Sequence, residues 1–198
     1  PRASSMSEQS STNDGIVHAV ALDGKGGGQD LAWEQLELSQ PAERGPVWVH
    51  IDYANKRARR WLSSQRGADA IVCSALLSED TRPSVREHED GLLVNMRGVN
   101  LNPGSDPEDM VSVRLWITSD RIISTRRRRV LATQTLYDEL KAGHGPKTAG
   151  EFLVMLVERL EQDIGPVVDE LDEHLDLAEE AFESRTNDSS GYRGEFSR

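Results

Sequence analysis

The sequence predicts an α/β fold (α+β in its segregated form): a mostly antiparallel central sheet flanked by helices, followed by a long C-terminal stalk helix. Three observations predict it. Short runs rich in β-branched and aromatic residues recur between turn formers over residues 15–146. Segments with apolar residues at helical spacing interrupt them. From residue 147 onward the pattern becomes one apolar seam at steps of three and four. The chain therefore divides into a polar N-terminal tail (1–14), an α/β domain (15–146), a stalk helix (147–185, kinked near Pro166) and a flexible end (186–198).

Residues 1–14 carry no periodicity and are expected to be disordered. Ile16–Leu22 reads as a first strand, and Asp23–Gly28 as a glycine-rich turn. Neither a Gly-Lys-Ser/Thr ending nor an apolar helix follows that turn, which favours a hairpin loop over a phosphate cradle. Leu31–Leu38 reads as a second strand. Val47–Asp52 is the clearest strand, entered through Gly45-Pro46. A helix from Asn55 to Gln65 turns Ala58, Trp61 and Leu62 inward, and Asp69 is placed to cap another over Ala70–Leu77. Pro83–His88, Gly91–Gly98, Met110–Ile117 and Arg121–Thr125 then form an antiparallel meander. Val130–Lys141 is a helix closed by Gly143–Pro146.

The last element differs in kind. Its pattern runs from Thr148 to Glu183, about 54 Å at 1.5 Å per residue. Leu153, Leu156, Leu160, Ile164, Val167, Leu171, Leu175, Ala178 and Phe182 make the seam. A small sheet domain cannot cover all of it, so the helix is expected to pack against copies of itself. Pro166, after Gly165, should kink it or divide it in two. Between Glu158 and Glu183 lie eleven acids against one base, Arg159. A solvated outer face accounts for such a run. Like charges at this spacing repel, however, and a bundle of such helices would concentrate a cation. His174 lies one turn after Glu170, so the two can ligate one Zn²⁺ from a single face.

The formal net charge of −11 argues against nucleic acid, which needs clustered Lys and Arg over a surface. A single cysteine, Cys73, in an apolar stretch forbids an intrachain disulfide and suits a reducing compartment. No run approaches the roughly 20 apolar residues that cross a bilayer, and the chain is expected to be soluble. Cys-x-x-Cys, His-Glu-x-x-His and Gly-x-Ser-x-Gly spacings are all absent, so no enzyme and no required cofactor are expected. His50 and Asp52 share a strand face, which suits a His–Asp hydrogen bond or a metal. Glu87-His88-Glu89-Asp90 reads as a solvated charge cluster at a turn. Arg126–Arg129 has three readings: a solvated loop paired with acidic surface, the acidic helix included; a site for anionic lipid headgroups or another anion; and nucleic acid, which the net charge and the absence of interleaved aromatics disfavour.

The order of these pieces resembles a known family. Val47-Trp48-Val49-His50-Ile51-Asp52-Tyr53 is similar to its early tryptophan strand. Thr81-Arg82-Pro83-Ser84-Val85 followed by Gly91–Gly98 is similar to its Arg-Pro strand pair. Val113–Ile117 and Ile122–Leu131, with Ser-Thr-Arg-x-Arg-x-Val, resemble its next hairpin. These are marks of the CorA-type divalent metal-ion transporters, and of the zinc-transporting ZntB branch. The resemblance implies a cytoplasmic funnel domain on the inner membrane face, assembled as a homopentamer. It also implies two transmembrane helices carrying a Gly-x-Asn pore signature further along, and no apolar stretch long enough for such a helix occurs in these residues. Such a domain gathers cations, Zn²⁺ or another divalent ion, and couples their cytosolic level to the pore. Asp169, Glu170, Asp172, Glu173 and Asp176, with His174, are then the candidate cation-attracting residues. A CorA-type magnesium or cobalt channel domain, or a soluble oligomeric adaptor using its C-terminal helix, are the alternatives.

Overall fold

The computed structural model describes residues 15–38, 45–64, 68–80 and 82–191, with side chains as far as residue 182. The expectation of disorder over 1–14 falls outside these residues. The elements are β1 (Ile16–Leu22), β2 (Gly28–Asp30), α1 (Trp33–Leu38), β3 (Val47–Asp52), α2 (Lys56–Ser64) and α3 (Ala70–Leu76). They continue with β4 (Ser84–His88), β5 (Gly91–Gly98), β6 (Val111–Ile117), β7 (Arg121–Arg126), α4 (Leu131–Ala142) and α5 (Ala149–Gly191).

Seven strands form one sheet in the order β2-β1-β3-β7-β6-β5-β4. The meander β4–β7 is antiparallel throughout, and so are β2–β1 and β1–β3. One pair, β3 with β7, is parallel and sets Trp48 against Ile122 and His50 against Ser124. A parallel pair requires a crossover. The chain supplies it as α2, α3 and the first three strands of the meander.

Alternation along the strands gives each sheet face its own core. On one face Val20, Leu22, Trp48, Val113, Leu115 and Ile122 meet Leu136 and Leu140 of α4 and Phe152, Leu156 and Leu160 of α5. On the other, Val49, Ile51, Leu93, Trp116 and Ile123 meet Leu36, Ala58, Trp61, Leu62, Val72 and Leu76. Each fully buried Leu or Phe stabilises this packing by about 1.5–3 kcal/mol.

One expected strand is a helix. Leu31–Leu38 follows the short strand β2, and from Trp33 onward it is the helix α1. The apolar residues Leu31, Trp33, Leu36 and Leu38 change parity between positions 33 and 36. A strand cannot keep them on one face, whereas the three-residue step from Trp33 to Leu36 fits a helix. The carboxamide oxygen of Gln35 accepts from the Ala32 N–H at 2.7 Å, which supports the first turn. The glycine-rich segment is the hairpin turn: the Asp23 carboxylate accepts from the Lys25 and Gly27 N–H groups at 2.7 and 2.9 Å. Gly26 has φ +108° and presses on Gly143, where an added Cβ would lie 2.8 Å from the carbonyl oxygen.

Helix α5 starts with a capping arrangement. Thr148 Oγ1 accepts from the Glu151 N–H at 3.1 Å, and the Glu151 carboxylate accepts from the Lys147 N–H at 2.8 Å. Pro166 lies inside α5, which is one helix rather than two and extends to Gly191. The chain forms two compact units, Pro1–Asp163 and Ile164–Arg198. Within the second, Ile164, Val168, Leu171, Leu175, Leu177 and Phe182 are exposed, Leu171 by 52% and Phe182 by 72%.

Candidate functional site

The acidic part of α5 is a single helix turned toward water on its described side chains. Asp169, Glu170, Asp172, Glu173, His174 and Asp176 are all exposed. Glu170 and His174 stand one turn apart on one face, as their spacing requires. Among the described residues, none of the six belongs to a group of three or more His, Cys, Asp or Glu ligand atoms within 4.8 Å of one another. Asp163, at the end of the first unit, has its carboxyl pushed up by burial.

Such a group exists elsewhere. Asp69, His88 and Glu89 bring three ligand atoms within 4.8 Å. Asp69 is the N-cap of α3, and its Oδ1 accepts from the Val72 N–H at 2.8 Å. Its Oδ2 lies 2.8 Å from His88 Nε2, at the end of β4. Glu89 takes the tight β4–β5 turn with φ +50°. The Val72 N–H first, and the His88 bond second, hold the Asp69 carboxyl below its usual range. One imidazole and two carboxylates form a donor set that suits Zn²⁺ with a position left open. The reading of Glu87–Asp90 as a solvated cluster therefore needs amendment: His88 is half-buried and tied to a helix cap. Nineteen residues separate Asp69 from His88, and only the laying of α3 beside β4 joins them. No spacing rule could reveal that.

The pairing expected between His50 and Asp52 does not form. His50 Nδ1 lies 2.7 Å from Ser124 Oγ, and its Nε2 lies 3.4 Å from Thr133 Oγ1. Asp52 instead accepts from the Ala54 N–H at 2.9 Å. The parallel β3–β7 pairing puts Ser124 directly beside His50 and outcompetes the same-strand neighbour. His50 is fully buried, so burial first and the charge of Arg126 next drive its pKa well down. Cys73 is half-buried, and its thiol is pushed up by burial and then by Asp69. Arg127 approaches Glu79 at 3.8 Å and Arg128 approaches Asp109 at 3.7 Å. These partners come from loops of the sheet domain, whereas the acidic helix was among those expected.

Solved structures share this fold. Over 86% of this chain and 53% of the other, it superposes on full-length CmaX with a TM-score of 0.80 at 36% identity. The ZntB cytoplasmic domain of Vibrio parahaemolyticus RIMD 2210633 shares the fold, with a TM-score of 0.69 at 24% identity over 82% of this chain and 64% of that one. In sequence, the chain is 36% identical over 177 residues to the divalent cation transporter CmaX of Pseudomonas aeruginosa, covering 89% of this chain and 53% of that protein. It is 37% identical over 174 residues to the zinc transport protein ZntB of Pectobacterium carotovorum, covering 87% and 52%. The family model described as "CorA-like Mg2+ transporter protein" matches residues 43–194, and the chain belongs to that family. It spans about half the length of the curated relatives it matches. No helix among the described residues is long and apolar enough to cross a membrane.

Proposed function

We propose that this chain is the cytoplasmic domain of a ZntB-like transporter of zinc or another divalent cation, five copies of which gather cations and couple their cytosolic level to a pore. The reading places the domain at the inner face of the cell membrane, held there by segments beyond these residues. One observation carries it beyond family membership: beyond Ile164, α5 exposes an apolar stripe and a dense acidic face on one element. An exposed stripe of Leu171, Leu175 and Phe182 has little reason to stay in water, and helix-to-helix association covers it. Association then stacks the acids Asp169–Asp176 of several copies, and the summed field raises the local cation concentration. With Glu170 and His174 on one face, a neighbouring copy need supply only one or two more ligands to complete a Zn²⁺ site.

The test uses the full-length protein in liposomes. Replacing Asp169, Glu170, Asp172, Glu173 and Asp176 together by their amides should cut zinc flux several-fold at low cation concentration and little at saturation. Equal flux at every concentration would refute electrostatic gathering. A CorA-type magnesium or cobalt channel is the second reading, because a CorA-like model matches this chain. Flux of Mg²⁺ in preference to Zn²⁺ in the same assay would favour it.

A further inference from the structure

Between α3 and strands β4–β6 lies a cavity of ≈ 560 Å³, distinct from the acidic helix. That volume is in the range of small-molecule sites. Its polar lining is a ladder across the sheet: Ser84 on β4 pairs with Asn95 on β5, and Asn95 with Arg114 on β6. Arg86 and Ser74 also line it. Arg82, Arg86 and Arg114 line it against the carboxylates of Asp80 and Glu87, a positive balance in a chain of net charge −11.

Arg114 is the group that asks for a ligand. It is 3% exposed, yet its Nε and Nη1 have no hydrogen-bond partner among the described residues. Its Nη2 donates to the Asp80 carbonyl at 3.3 Å, and its guanidinium lies 5.6 Å from the centre of the Tyr53 ring. The Asp80 carboxylate, whose charge Arg114 feels, is taken up by Arg82 through Nε at 3.1 Å and Nη2 at 2.6 Å. A buried guanidinium without a committed carboxylate is costly, and a bound anion offsets that cost. Asn95 is fixed beside it, its amide donating to the Arg82 carbonyl at 2.8 Å. Arg86, exposed at the mouth, adds a second positive charge, and the Ser74 and Ser84 hydroxyls add neutral donors.

We infer that this cavity is a binding site for a small oxyanion, the phosphate or carboxylate group of a cytosolic small molecule, held by Arg114 and Arg86. The inference stands apart from cation gathering by α5, and either can fail without the other. Arg114 is positioned by the sheet and supplies buried charge, while Arg86 captures the ligand at the rim.

The test titrates the whole chain with inorganic phosphate, and separately with succinate, at constant ionic strength held by chloride. Backbone amide shifts provide the readout. Saturable shifts at Ser84, Asn95 and Arg114 are expected with at least one of the two probes. Arg86→Gln should weaken the apparent affinity about tenfold or more, with amide changes in the unliganded protein confined to the neighbourhood of position 86. A response to phosphate alone assigns a phosphoryl ligand, and a response to succinate alone or to both assigns a carboxylate-tolerant site. Should Arg114→Gln fail to fold, Arg114→Lys, which keeps the charge, should bind more weakly than the parent. The inference is overturned if neither probe gives saturable shifts at these residues, or if Arg86→Gln binds as tightly as the parent chain.

Discussion

Acid should destabilise the sheet domain through two buried histidines well before its carboxylates titrate. His18 stacks on Tyr137 with ring centroids 4.2 Å apart and lies 5.8 Å from His50. Burial, and then the charge of Arg126, lower the His18 pKa to about 4, against a smaller opposing pull from Asp30. His50 is driven in the same direction by burial, Arg126 and His18. Burial is what favours the neutral form of His50, and its contact with Ser124 pulls the pKa the other way. Trp48 Nε1 donates to Ser124 Oγ at 2.8 Å, which frees the Ser124 hydroxyl proton for His50 Nδ1 at 2.7 Å.

Both folded pKa values lie below the unfolded one, so the unfolded chain binds more protons as pH falls through about 6.5. Stability is fully present above that pH and is lost as pH falls toward the folded values. For His18, with an unfolded pKa of about 6.5 and a folded one of about 4, the loss between pH 7 and pH 5 is about 2 kcal/mol. His50 acts in the same direction over this interval, so the loss for the pair exceeds that for His18 alone, against a total stability on the order of 5–15 kcal/mol. Urea unfolding at pH 7 and pH 5 reads this directly. His18→Phe, which keeps an aromatic ring against Tyr137, should lose about 2 kcal/mol less than the parent over that interval. If parent and variant lose the same stability between pH 7 and pH 5, the assignment of buried neutral histidines is wrong.

Two further outcomes concern packing and capping. Leu156→Ala empties a fully buried position between α5 and the sheet and should cost about 2–5 kcal/mol in urea unfolding. Val157→Ala, exposed on the neighbouring position of the same helix, should cost well under 1 kcal/mol. Asp69→Ala removes the α3 cap and should cost about 1 kcal/mol, whereas Asp69→Asn, which caps comparably, should recover most of it.

Much of this fold is legible in the sequence because its signals are local. Val47–Asp52 is β-branched and aromatic, the meander strands are each bounded by turn formers, and the Asp69 cap and Gly143 stop sit where side-chain and backbone rules place them. The acidic seam of α5 is visible because its period repeats over many turns. The exception, Trp33–Leu38, is short enough that a helix and a strand share its composition, and burial of Leu36 against the second core settles it. What the amino-acid order could not disclose is pairing at a distance. Ser124 displaces Asp52 as the partner of His50 because β3 and β7 run parallel, a choice made by the whole sheet and its crossover. Asp69 meets His88, and Arg114 is sealed beside a cavity, because α3 lies over β4–β6. Short-range order follows from each residue's own backbone and side-chain preferences. Which distant groups share a low-dielectric interior, and so have their charges altered, depends on a packing that only the assembled layers define.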